Sequence, residues 1–261
     1  MAGTREAEYR RASEAFARQA SHIYPWVEQL TTEELAAPSV LPQWNVATVV
    51  AHLVMIQEGL VARLAQTTNA KPLPLADYLA SYAGASQDIA DRTRAVLASH
   101  TSREMVEALA ASADPSARLA LCHPADVIIA GRGPIRVMDW LESRIAELVI
   151  HTDDLNRSLP RRMPIEIDRE ALGRVCRLLI GVLATRAPGK AVEVRIPPYV
   201  AVQVVAGVAH TRGTPPNVIE MGPSEWIRLA AGRQSWTELV AAGAVAASGS
   251  RADLAMWMPI L

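Results

Sequence analysis

The chain has 261 residues, half of them hydrophobic and a fifth charged, enough for one large domain or two modest ones with a buried core. Its formal net charge of -1 gives no electrostatic basis for nucleic acid or an anionic membrane as a partner. Two cysteines, Cys122 and Cys176, are too few for a disulfide framework or a cysteine-only zinc site, and read as free thiols of a reducing cytoplasm.

Aromatic residues are scarce, with six Trp, five Tyr and one Phe, so Ala, Leu and Val must fill the core, which favours closely packed helices. The opening MAGTREAEYRRASEAF is charged and lacks an apolar h-region, unlike a secretory signal. No run of about 18 uninterrupted apolar residues marks a membrane span. Residues 4–31 place Tyr9, Ala12, Phe16, Ala20 and Ile23 at helical spacing, with Pro25 as a kink. A connector with two prolines leads to Asn45, an N-cap for a helix reaching about Ala65. Further helices are expected over about 75–98 and 102–113. Residues 121–134 read as a long loop or broken segment punctuated by His123-Pro124 and Gly131-Arg132-Gly133-Pro134, and a last helix covers about 135–157.

Composition changes at Pro160-Arg161-Arg162-Met163-Pro164. Beyond it we expect a helix over 168–186, strands at 192–196, 199–207, 217–221 and 244–248, helices begun by Ser224 and Ser235, and a terminal helix from Arg251. The expected fold is therefore α+β. An antiparallel four-helix bundle occupies residues 1–160 and a small α+β domain occupies 161–261.

The chemistry-bearing residues cluster on two helices. Glu147 and His151 lie one turn apart on one face, and Trp140, Arg144 and Asp154 share it. A polar stripe among Ile145, Leu148, Val149 and Ile150 is costly to bury without partners. His52, mid-helix in VVAHLVMI, points inward. Two imidazoles and a carboxylate suit zinc with an open position or non-haem iron. Spacing alone leaves open a hydrogen-bonded core histidine and a surface Glu147–His151 pair.

The surrounding residues narrow this. Trp44, Val46, Val49, Val50, His52 and Leu53 fall on a Trp-x-Val-x-x-Val-Val-x-His-Leu pattern, and Arg144, Glu147, His151 and Asp154 on Arg-x-x-Glu-x-x-x-His-x-x-Asp. Across about residues 5–160 the chain thus resembles the DinB-like, mycothiol-dependent maleylpyruvate isomerase N-terminal domain. The resemblance implies His52, Glu147 and His151 as zinc ligands and mycothiol as a thiol cosubstrate attacking a small electrophile, by isomerisation or by transfer. Neither cysteine lies in the ligand motifs, which also points to an external thiol. Arg144 and Asp154 then support the ligands. Trp44, Trp140 and the more distant Arg233 are candidate substrate or thiol contacts.

The runs VRIPPYVAVQ (194–203), TPPNVIEMGPSEWIRLAAGR (214–233) and AAGAVAASGSRADLAMWMPIL (241–261) resemble a bacterial sterol-carrier-protein-like domain. They differ from the C-terminal domain of the authentic maleylpyruvate isomerases, so the resemblance does not name maleylpyruvate as the substrate. It also raises an alternative, a non-catalytic carrier of a lipid or small hydrophobic ligand.

Overall fold

The computed structural model describes residues 2–207 and 216–261, so the first two residues of the 214–233 run lie outside the described residues. The fold mixes helix and sheet. Two compact units divide it, residues 1–171 and 172–261.

In the first unit the chain order begins α1 (Ala2–Glu28), α2 (Thr32–Ala36), α3 (Val46–Arg63), α4 (Leu75–Ala80) and α5 (Ser86–Ser99). It continues α6 (Ser102–Ala111), α7 (Ser116–Leu119), strands β1 (Val127–Ala130) and β2 (Gly133–Arg136), and α8 (Val137–Ser158). Local chemistry sets the starts. Asn45 accepts the Thr48 backbone N–H at 2.9 Å to begin α3, and capping boxes Thr31/Glu34 and Thr101/Glu104 begin α2 and α6. Helix α1 runs through Pro25 and buries Tyr9, Ala12, Phe16, Ala20 and Ile23, the expected face. It packs on α8 and α6, while α3 packs on α8, α5 and α6. Helix α3 is long and apolar enough to cross a membrane by length and composition. Here Val49, Val50, Leu53, Val54, Ile56 and Leu60 are core residues.

Two expectations fail in this unit. The helix over 75–98 is broken: α4 stops at Ala80, and a 3-10 turn (Ala83–Ala85) precedes α5. The segment 121–134 is not a loop throughout. Val127, Ile128 and Ile129 are β-branched, and the two-residue turn Gly131–Arg132 pairs Ala130 with Gly133 in an antiparallel hairpin. Ile135 and Arg136 therefore belong to β2, and α8 starts at Val137.

In the second unit α9 (Arg169–Arg186), begun in the first, leads to β3 (Val192–Ile196), β4 (Val200–Val204), β5 (Val218–Met221), α10 (Pro223–Ala230), α11 (Trp236–Ala241) and β6 (Val245–Ser248). The sheet order is β4-β3-β5-β6, with β3 and β5 parallel and the outer pairs antiparallel. Val192, Val194, Ile196, Ile219 and Met221 are buried. Glu193 and Arg195 alternate with them, and the Arg195 guanidinium pairs with Glu193 at 2.7 Å. Gly189 is required after α9, because a Cβ there would sit 2.1 Å from the Val205 carbonyl oxygen.

Ser235 caps α11 as expected. Helix α10, however, starts at Pro223 with Gly222 as its N-cap, so Ser224 does not begin it. Arg233 lies in the turn after that helix. The terminal helix expected from Arg251 is only a 3-10 turn, Ala255–Trp257. The tail is held instead by backbone, with the Ile260 and Leu261 N–H groups donating to the Ala230 carbonyl at 2.7 and 3.1 Å. Pro259, which has no N–H to give, cannot extend a helix there.

Candidate metal centre

Helices α3 and α8 bring the three candidate ligands together. One donor atom from each of His52, Glu147 and His151 lies within 4.8 Å of the others. Glu147 Oε2 is the hub, 3.4 Å from His52 Nε2 and 3.3 Å from His151 Nε2. The imidazole planes meet edge-on, with ring centroids 4.6 Å apart. His52 and His151 are 3% and 6% exposed, so their polar atoms must find partners inside the protein.

Those partners fix the rings. The Thr93 hydroxyl donates its one proton to the Ile89 carbonyl at 2.8 Å. It is therefore an acceptor for His52 Nδ1–H, 3.1 Å away. Asp154, fully buried, accepts from His151 Nδ1 at 3.0 Å. With both Nδ1 atoms protonated, neutral rings present Nε2 lone pairs to the carboxylate. Three electron-pair donors facing one another repel unless a proton or a cation lies between them. That donor set suits a divalent ion of the zinc type.

The electrostatics divide the cluster, keeping His52 neutral and Glu147 ionised while favouring a proton on His151. Burial pushes the His52 pKa down to about 4, aided by the charges of His151 and Arg144 and opposed by Glu147. Burial also works to raise the Glu147 pKa, but the adjoining His151 and His52 rings and the charge of Arg144 hold it well below the ordinary carboxylate range. For His151 burial is outweighed by hydrogen bonds to Asp154 and Glu147, and the net shift is upward. The two histidines move oppositely because His151 faces two carboxylates, while His52 faces one carboxylate and a hydroxyl.

Arg144 sits one turn before Glu147, its Nη2 3.5 Å from Glu147 Oε1. Its guanidinium carbon is 4.1 Å from the Trp140 ring centroid, its Nε donates to Ser143 Oγ at 3.3 Å, and its Nη2 donates to the Tyr82 hydroxyl. It thus leaves Oε2 to face the histidines. A cleft of about 130 Å³ opens beside the cluster, lined by His52, Glu147, Arg144, Tyr78, Tyr82 and Trp140 among others. Trp44 meets the His52 ring edge-on at 5.4 Å. Arg233 lies in the second unit, where its Nη1 donates to the Ala231 carbonyl at 2.8 Å.

Sequence reasoning missed Thr93 and Tyr82, 41 and 62 residues from the groups they hold. A weak signal existed for Thr93, a buried hydroxyl between Ile89 and Val96 on one face of α5. Thr93→Val keeps the shape and leaves His52 Nδ1–H without its acceptor. We expect a 10–100-fold weaker affinity for zinc, the roughly tenfold to hundredfold cost of losing an orienting partner, at unchanged helicity. Competition against a chromophoric chelator measures it, and an unchanged affinity would remove Thr93 from the site.

Residues 16–156 match the family model described as the mycothiol maleylpyruvate isomerase N-terminal domain, and residues 168–260 match that of the bacterial SCP ortholog. No curated protein matches the chain. Among solved structures, the mycothiol-dependent maleylpyruvate isomerase is similar at 14% identity and a TM-score of 0.58, covering 94% of each chain. A histidine-to-alanine mutant of that enzyme is similar at 15% identity and a TM-score of 0.60, also covering 94% of each. At such identity the likeness is one of fold. The first family match, however, spans more than half of the sequence, and the protein therefore belongs to the mycothiol maleylpyruvate isomerase N-terminal domain family, continued by a segment of the bacterial SCP type.

Proposed function

We propose that the protein is a zinc-dependent thiol isomerase or transferase that uses mycothiol against a small electrophilic substrate. The observation that carries this is the convergence of His52 Nε2, His151 Nε2 and Glu147 Oε2, each turned to its task by a buried neighbour. In this reading those three residues are the metal ligands, with Arg144 and Asp154 as their supports. Zinc supplies a Lewis acid that holds a thiol as its thiolate near neutral pH. The chain does the rest. Thr93 and Asp154 hold the imidazole protons away from the donor atoms, Arg144 holds the second carboxylate oxygen, and Trp140, Tyr78 and Tyr82 wall the cleft.

Cys176 supports an external thiol as nucleophile, since burial pushes its pKa up to about 12. The Cys122 thiol is raised too, by burial and by Asp126. Both are free thiols, in keeping with a cytoplasmic location. We read residues 1–160 as the metal-holding domain, a four-helix bundle in which α3 and α8 carry the ligands, and residues 161–261 as a sterol-carrier-like domain. Trp44 and Arg233 remain proposed contacts for thiol or substrate.

Metal analysis of untagged protein tests the reading. About one equivalent of zinc is expected in the wild type and much less in His52→Ala, with helicity checked by circular dichroism. Loss of an added electrophile should then require both zinc and mycothiol. Substoichiometric metal in both proteins would sink the proposal. The match of residues 168–260 to the bacterial SCP ortholog favours one second reading, carriage of a lipid or small hydrophobic ligand. Native mass spectrometry after gentle purification decides it by a co-purified lipid.

A further inference from the structure

The cleft beside the metal centre carries cations that the ligand set does not use. Arg63, Arg92, Arg132 and Arg144 line it, against Glu147 among the lining carboxylates. Arg144 is engaged by Glu147, Tyr82 and Trp140. Arg92 and Arg132 are held differently. Arg92 comes from α5 and Arg132 from the tip of the β1–β2 turn, and both reach one carboxylate oxygen. Asp88 Oδ2 accepts Arg132 Nη2 at 2.6 Å and Arg92 Nη2 at 2.9 Å.

Asp88 itself is not part of the cleft lining, and its side chain is 58% exposed. An exposed ion pair contributes little to stability, so stability does not explain why a hairpin tip should be brought to α5. Each guanidinium has five N–H donors in a planar fork. The Asp88 carboxylate takes Nη2 from each and the Asp88 backbone carbonyl takes Nε of Arg92 at 3.4 Å, which leaves Nη1 of Arg92 and the other donors of Arg132 on two cleft-lining cations. Paired guanidiniums of this kind suit bidentate recognition of a carboxylate.

We propose that Arg92 and Arg132 are specificity-determining residues that bind a carboxylate on the electrophilic substrate, with Asp88 competing with that carboxylate for them. The inference rests on the cleft serving the metal centre as proposed above. It assigns the substrate to small electrophiles bearing a carboxylate and disfavours their neutral amides. The discrimination comes from charge, because a neutral group leaves the guanidiniums without an anionic partner on the cleft side.

Succinate and its neutral isostere succinamide, neither of which reacts with a thiol, are suitable probes for titration calorimetry on the zinc-loaded full chain. Wild type should bind succinate about tenfold or more tightly than succinamide. Arg132→Gln and Arg92→Gln should each weaken succinate by about tenfold, leaving zinc content unchanged. Asp88→Asn should strengthen succinate by a few-fold, roughly the release of one competing ion pair, whereas a merely structural Asp88 would weaken it. Equal binding of the two probes, or succinate binding that survives both arginine changes, overturns the proposal. Succinate binding that vanishes on chelation yet survives Arg132→Gln overturns it as well. If instead the wild type holds no zinc while the succinate pattern persists, the arginine pair stands and the metal reading fails.

Discussion

Glu147→Gln is expected to lower zinc affinity by more than about 100-fold, beyond the roughly tenfold to hundredfold that loss of a supporting residue costs. The carboxylate is the hub of the cluster, within 3.4 Å of both histidine Nε2 atoms. The amide keeps the shape and removes the charge. It can also place an NH₂ donor where a lone pair is needed. It leaves Arg144, only 7% exposed, without its carboxylate partner, which adds a stability cost of about 3–5 kcal/mol typical of a broken buried pair. Zinc titration at fixed pH and urea denaturation measure the two effects separately. Retention of tight zinc binding by Glu147→Gln would exclude this carboxylate as a ligand.

Metal-free protein should lose about 3 kcal/mol of stability as the pH falls from above 6.5 to below 4, through His52 alone. The folded-state pKa is about 4 against an ordinary value of 6.5. Between those values the unfolded chain binds the proton and the folded chain does not, so stability rises with pH across that window. Glu147 acts in the same sense lower down. Its depressed pKa gives stability that is present above its unfolded value of 4.5 and is lost as the pH falls through the folded one. His151 acts in the opposite sense and elsewhere. Its pKa is raised above 6.5, so its contribution is complete below that value and is lost as the pH rises through the folded one. Urea midpoints of chelator-treated wild type and His52→Gln at pH 7 and pH 5 separate these groups. The wild type should drop the more, and equal slopes would refute a buried, neutral His52.

What the sequence made legible was periodic. The 3-4-3 spacing of Arg144, Glu147, His151 and Asp154 survives intact because α8 is regular from Val137 to Ser158, and a regular helix converts spacing directly into a shared face. The buried face of α1 was legible for the same reason. The hairpin was obscured because Pro134 interrupts the β pattern of its second strand. The strand tolerates it because the Pro134 carbonyl still accepts from Leu73 at 2.9 Å, and only its N–H is missing. The tail from Arg251 carries helical apolar spacing, yet Pro259 and the Ala230 carbonyl set its course. Tyr82, Arg92 and Arg132 were not legible as residues of the cluster or its cleft, and Thr93 only weakly so. Each reaches the site only because chain segments remote in sequence fold together, and no local spacing encodes that.

The buried groups around the donor atoms also have a charge balance. Glu147 and Asp154 contribute two negative charges and Arg144 one positive charge, and the imidazoles must be neutral to act as ligands. The cluster alone is thus one unit negative. A divalent ion makes it one unit positive, and a neutral water as the remaining partner leaves that excess uncompensated in a low-dielectric interior. A thiolate brings the sum to zero. On the proposed reading Arg144 therefore does more than steady Glu147. Its fixed charge would set the balance so that an anionic partner, rather than a neutral one, completes the centre when a divalent ion is held there.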